Sequence, residues 1–94
     1  MIKSCVDAET EKIYQGQISR KLPATIQKTA RHKLLYLDDA EDFRDLLALS
    51  GNRLEKLHSE RASQYSIRIN DQWRIFFYWK ASQAQEVEIV DYQQ

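Results

Sequence analysis

The sequence predicts a segregated α+β domain, N-terminal helices followed by a mostly antiparallel, four- to five-stranded sheet. Three observations carry that prediction. Gln64 to Trp79, QYSIRINDQWRIFFYW, alternates with period two on either side of Asn70-Asp71-Gln72, which is the pattern of a β-hairpin. Ile26, Ala30, Leu34 and Leu37 recur at helical spacing after Leu22-Pro23. Helix-type signals all precede residue 50, and strand-type signals dominate after Leu54.

In chain order, Ile2 to Cys5 is at most a short strand. Asp7 suits the N-cap of a helix over about residues 8–15, with Glu9 and Glu11 where the helix dipole favours acids and Gly16 as its stop. Residues 17–22 connect to a second helix that starts at Pro23 and runs to about Leu37, with Lys28, Arg31, His32 and Lys33 on its wet side. Asp38 and Asp39 break it. A short acidic helix over about 40–48 turns Phe43, Leu46 and Leu47 inward, and Ser50-Gly51-Asn52 is a turn. Leu54 and Leu57 begin the sheet, residues 58–63 form a polar loop, Lys80 to Gln85 another turn, and Val87 to Tyr92 the last strand, with Val87 and Ile89 inward.

In the hairpin, Tyr65, Ile67 and Ile69 share one face with Trp73, Ile75, Phe77 and Trp79. Both apolar faces meet one core only if Ile69 lies opposite Trp73, which requires the odd-length loop 70–72, because a one-residue slip turns a strand inside out. The same register sets Arg68 beside Arg74 on the other face. Two facing arginines repel unless an anion relieves them.

Ninety-four residues with balanced formal charge predict a single domain with one modest core and no global field toward nucleic acid. The charge is segregated: residues 1–36 carry seven basic and three acidic side chains, residues 37–50 one basic and five acidic. Cys5 is the lone cysteine, so no internal disulfide forms and a reducing compartment fits. No signal peptide or membrane span is expected, and cytoplasm is the expected location. The chain has no glycine-rich phosphate loop, and its two histidines, His32 and His58, lack metal-ligand spacing, so no metal or cofactor is expected. What remains is a polar set at the margins of the sheet: Arg53, Glu55, His58, Glu60, Arg61, Arg68, Arg74, Asp91 and Tyr92. Guanidinium groups clamp phosphates, and the carboxylates and histidine exchange protons. Composition and spacing alone favour a charged sheet face that serves solubility or holds a partner protein.

The blocks Gly51–Leu57 (GNRLEKL), Gln64–Ile75 (QYSIRINDQWRI) and Val87–Tyr92 (VEIVDY) closely resemble the HigB toxins of the RelE/ParE superfamily of bacterial type II toxin–antitoxin systems. Arg20-Lys21-Leu22-Pro23 and the second helix fit as well, so the resemblance covers nearly the whole chain. It implies a RelE-like fold, with the N-terminal helices packed on one face of a twisted, mostly antiparallel sheet. It also implies a metal-independent endoribonuclease that cuts mRNA in the ribosomal A site, the RNA 2′-hydroxyl attacking the adjacent phosphodiester. By position, Arg74 matches the phosphate-stabilising arginine, Asp91 and Tyr92 the C-terminal acid/base and base-stacking pair, and His58 a residue beside the scissile phosphate. For such an enzyme, Arg68, Arg61, Arg53 and Lys56 are the expected RNA and phosphate contacts. The implied partners are a helix-turn-helix antitoxin of the HigA type, the ribosome and mRNA, with operator DNA reached only through the antitoxin.

The chain departs from that pattern in two places. Members typically end Asp-Tyr-His, whereas this chain reads Asp91-Tyr92-Gln93-Gln94, and glutamine carries no proton near neutral pH. Ser59-Glu60-Arg61 stands where Gly-Asp-Arg is frequent, and Ser63 where glycine is common. Both departures, together with the zero net charge, imply weakened catalysis and weaker ribosome attraction. Two other outcomes stay open: a ParE-like inhibitor of DNA gyrase without nuclease activity, and a catalytically weak member kept for antitoxin binding and operon control.

Overall fold

The computed structural model describes residues 1–47, 54–57 and 64–92. The elements are α1 (Ala8–Tyr14), α2 (Ala24–Asp39), α3 (Phe43–Leu47), β1 (Glu55–Lys56), β2 (Gln64–Arg68), β3 (Trp73–Lys80) and β4 (Gln83–Asp91). The strands form one antiparallel sheet in the order β1-β2-β3-β4. This α+β arrangement agrees with a RelE-like fold. Residues 1–5 add a broken fifth edge: Ile2 and Cys5 bridge Ala84 and Val87 in parallel.

Local chemistry explains the helices. Asp7 caps α1 by accepting from the Thr10 N–H at 2.7 Å. Gly16 follows at φ +82°, where a Cβ would also press within 3.2 Å of the Arg31 guanidinium. The connector is tied down by Ser19, whose hydroxyl donates to Glu9 at 2.6 Å and whose backbone pairs with the Gln27 amide. That hydroxyl, then Lys12, holds the Glu9 carboxyl below its ordinary value. Pro23 is the N-cap of α2 and not its first helical residue, with an extended ψ of 133°. Asp38 and Asp39 do not break α2 but close its last turn, because Asp38 Oδ1 accepts from the Ile2 N–H at 2.9 Å and so has a partner outside the helix. The acidic helix starts at Phe43, three residues later than expected, and Leu47 is 60% exposed where an inward side chain was expected, since one short turn presents only Leu46 to the core.

The hairpin register is the one the alternation requires. Ile67 lies opposite Ile75, Arg68 opposite Arg74, and the Ile69 N–H donates to the Trp73 carbonyl at 2.9 Å. Ile67, Ile75, Phe77 and Val87 therefore share one buried cluster with Ile13 and the α2 stripe Ile26, Ala30, Leu34 and Leu37. Phe43 caps it through ring contacts to Tyr65 and Trp79. The turn expected over 80–85 is much shorter: Lys80 pairs with Gln83 around Ala81-Ser82, both at positive φ, the geometry of a two-residue hairpin turn. A register shift between Phe76 and Tyr78 marks a bulge in this pairing, and Glu86, on the opposing stretch of β4, has φ +51°.

One long-range bond locks helix to sheet: the buried Thr10 hydroxyl accepts from the Ile89 N–H at 3.1 Å. Thr10→Val keeps the shape and orphans that N–H, so the urea midpoint should fall by the equivalent of about 1–3 kcal/mol. Cys5 gives a pH test. Burial first, then the Glu11 and Asp7 carboxylates, push its thiol up from 9.0 to about 12. A folded value above the unfolded one means the contribution is whole below pH 9 and is lost as pH rises toward 12. The drop in urea midpoint between pH 8 and 11 should therefore be smaller in Cys5→Ser than in the parent chain.

Candidate functional site

The helices cover one face of the sheet. The other face carries Gln64, Ser66 and Arg68 from β2, Arg74, Phe76 and Tyr78 from β3, and Glu88 and Val90 from β4, in the rows Arg68-Arg74-Val90 and Glu55-Ser66-Phe76-Glu88. This face is not an open, solvated surface. Ser66, Arg74 and Phe76 are buried, although Phe76 lies outside the main core cluster.

Arg74 is the centre of it. A guanidinium that is 8% exposed needs partners, and Ser66 supplies two: Nε donates to Oγ at 2.8 Å and Nη2 to the carbonyl at 3.4 Å. Glu55, across β1, places a carboxylate oxygen 4.0 Å from Nη2. The repulsion between Arg68 and Arg74 is thus relieved inside the chain, since Arg68 is paired with Asp71 as well. Lys33 of α2, expected on the wet side, is half-buried, and burial, then the charge of Arg68, holds its ammonium below the ordinary value.

Asp91 and Tyr92 reach the same end of the sheet in different ways. Asp91 pairs with Trp73, a helix-side residue, so its exposed carboxylate stands at the rim on the side away from Arg74, where the Gln72 amide donates to both of its oxygens at 3.2 Å. The Tyr92 N–H donates to the Gln72 carbonyl at 2.7 Å. Tyr92 packs edge-on against Phe76, with ring centroids 5.4 Å apart, on the Arg74 face. Lys56 lies exposed on β1 opposite Tyr65, a helix-side residue, and so apart from this group. Arg53, His58, Arg61 and Gln93, the turn 50–52 and the loop 58–63 lie outside the described residues.

The structure brings Arg74, Arg68 and Tyr92 to one sheet face, together with side chains that the sequence alone did not tie to them. Ser66 and Phe76 are cross-strand neighbours, recoverable from the hairpin register. Gln72 reads from the sequence only as a loop residue and Lys33 only as part of the wet side of the second helix. Among the described residues, no group of three His, Cys, Asp or Glu side chains could hold a metal ion. Ser66→Ala should lower stability by about 1–2 kcal/mol in urea titration, because it strands a buried Nε–H. The Arg74 Nε proton should then exchange faster with solvent by NMR.

The comparisons agree with this geometry. A family profile described as the RelE-like toxin of the type II toxin–antitoxin system HigB matches residues 3–93. Toxin HigB-1 of Vibrio cholerae serotype O1 (strain ATCC 39315 / El Tor Inaba N16961) is 35% identical over 74 residues, which is 78% of this chain and 78% of the relative. An uncharacterized protein of Haemophilus influenzae (strain ATCC 51907 / DSM 11121 / KW20 / Rd) is 30% identical over 74 residues, 78% of this chain and 73% of that protein. With a profile spanning nearly every residue and a four-stranded sheet organised around Arg74, the chain belongs to the HigB-like family of RelE-like toxins, the toxin half of a type II toxin–antitoxin system.

Proposed function

We propose that this toxin is a ribosome-dependent endoribonuclease that cleaves mRNA in the A site. The observation that supports this reading best is the immobilised Arg74, buried on Ser66 and backed by the Tyr92–Phe76 ring pair on one sheet face. A phosphodiester lying on that face would meet a guanidinium already oriented, and an unstacked base would meet the Tyr92 ring. In the proposed reaction the 2′-hydroxyl loses its proton to Asp91 or His58 and attacks phosphorus. The bond to the 5′ oxygen breaks, that oxygen takes a proton, and a 2′,3′-cyclic phosphate and a 5′-hydroxyl result. Arg74, with Arg68 nearby, would carry the charge of the crowded phosphorane. His58, Arg53 and Arg61 enter this proposal from the sequence resemblance, and Lys56 as an outlying phosphate contact.

The antitoxin partner of such a toxin would be a HigA-like helix-turn-helix protein that also brings it to operator DNA. Cytoplasm is the proposed location; among the described residues no helix is long and apolar enough to cross a membrane. Gln93 in place of the usual histidine supports one further reading, a catalytically weakened toxin retained for antitoxin binding.

Induced expression without antitoxin, with mapping of mRNA 5′ ends, tests the proposal. The parent chain should arrest growth and produce codon-phased cuts. Arg74→Ala should fold and lose about 10²–10³-fold of the cleavage rate. Arrest without cuts would move the reading to a gyrase-type toxin, and a folded protein causing no arrest to the weakened one.

A further inference from the structure

Arg74 does not meet an incoming anion alone. Glu55 lies in the row Glu55-Ser66-Phe76-Glu88, and its Oε2 stands 4.0 Å from Arg74 Nη2. That is too far for a hydrogen bond, so Glu55 is a charge beside the guanidinium, whereas Ser66 holds Nε directly at 2.8 Å. The pair is partly shielded from water: the Arg74 side chain is 10% exposed and that of Glu55 49%. The pair formed by Arg68 differs, because its partner Asp71 is 97% exposed and its charge is screened by solvent. Among these carboxylates, Glu55 is therefore the one whose field an anion on Arg74 would feel.

An anion oxygen hydrogen-bonded to Nη2 at about 2.9 Å can be no more than about 7 Å from Glu55 Oε2. That is inside the Debye length of about 8–10 Å at ordinary salt, so Glu55 repels any such ligand in proportion to the ligand's own charge. An internal phosphodiester carries one negative charge. A phosphate monoester carries close to two at neutral pH and above, since its second pKa is near 6. Arginine alone favours the more highly charged anion, and a carboxylate beside it offsets that preference. We propose that Glu55 is a specificity-determining residue, which keeps dianionic phosphates, such as chain ends and free nucleotides, from competing with an internal phosphodiester for Arg74. Glu55 touches no reacting atom in this role. The inference rests on the reading of Arg74 as a phosphate contact, and it holds whether or not the RNA is then cut.

The test is an NMR titration of the full ¹⁵N-labelled chain at about pH 7.5, followed at the Nε–H and backbone N–H of Arg74. Two probes share a base: thymidylyl-(3′→5′)-thymidine, a phosphodiester with no 2′-hydroxyl, and thymidine 3′-monophosphate. Glu55→Gln should tighten the diester about three- to tenfold and the monoester by about the square of that factor, because repulsion doubles with charge. The preference thus moves toward the monoester about three- to tenfold. Glu55→Asp, which keeps the charge, should hold the parent preference. So should Glu86→Gln, which removes a charge four residues along β4 from Val90, the neighbour of Arg74. An equal gain for both probes in Glu55→Gln, or no gain, would overturn the assignment and leave Arg74 as a phosphate contact. Weaker binding of both would overturn it in favour of a role for Glu55 in holding Arg74. No response to either probe, in the parent chain or in Glu55→Gln, would overturn this inference and the reading of Arg74 together.

Discussion

The pairing of β2 with β3 is the constraint on which the remaining structure depends. With Arg68 opposite Arg74 and Ile67 opposite Ile75, every odd-numbered side chain of the hairpin faces the helices and every even-numbered one the opposite surface. A slip by one residue would bury Arg68 and Arg74 beneath α2 and leave Ile67, Ile75 and Phe77 without a core. One choice of loop length thus sets both the hydrophobic cluster and the cationic face. The stability of the fold and the composition of its site cannot vary independently at these positions.

The loop that enforces the register also serves the site. Asn70 accepts from the Gln72 and Trp73 N–H groups, both at 2.8 Å, which closes the turn. Asp71 pairs with Arg68, Gln72 holds Asp91 and the Tyr92 backbone, Trp73 packs against the core, and Arg74 sits on Ser66. Asn-Asp-Gln-Trp-Arg is therefore a run in which each side chain has a different neighbour to satisfy.

Much of this was legible beforehand because strand alternation and helical spacing are strong, redundant signals: the α2 stripe, the hairpin faces and the inward Val87 and Ile89 all follow from them. What was missed depends on partners distant in sequence. Asp38 looks like a helix breaker until the Ile2 N–H is found beside it. Ala81-Ser82 contains neither glycine nor asparagine, so its tight turn leaves no compositional mark. The Glu86 conformation on β4 is equally silent. At the site, Arg74 was visible as a residue, but its burial was not, because Ser66, Phe76 and Tyr92 come from three separate segments. The positions of Arg53, His58, Arg61 and Gln93 rest on the sequence alone.

The seam between residues 1–5 and β4 has a consequence for how the protein is made. Ile2 and Cys5 bridge Ala84 and Val87, and Thr10 holds Ile89, so contacts between the earliest and latest parts of this stretch complete the sheet. Such contacts raise the mean sequence separation and slow folding. A nascent chain can form α1 and α2 as soon as they emerge, but the edge they are to cover arrives only with β4, and Asp91 and Tyr92 arrive with it. The sheet face around Arg74 thus stays unfinished until β4 and Tyr92 have been made and can pair.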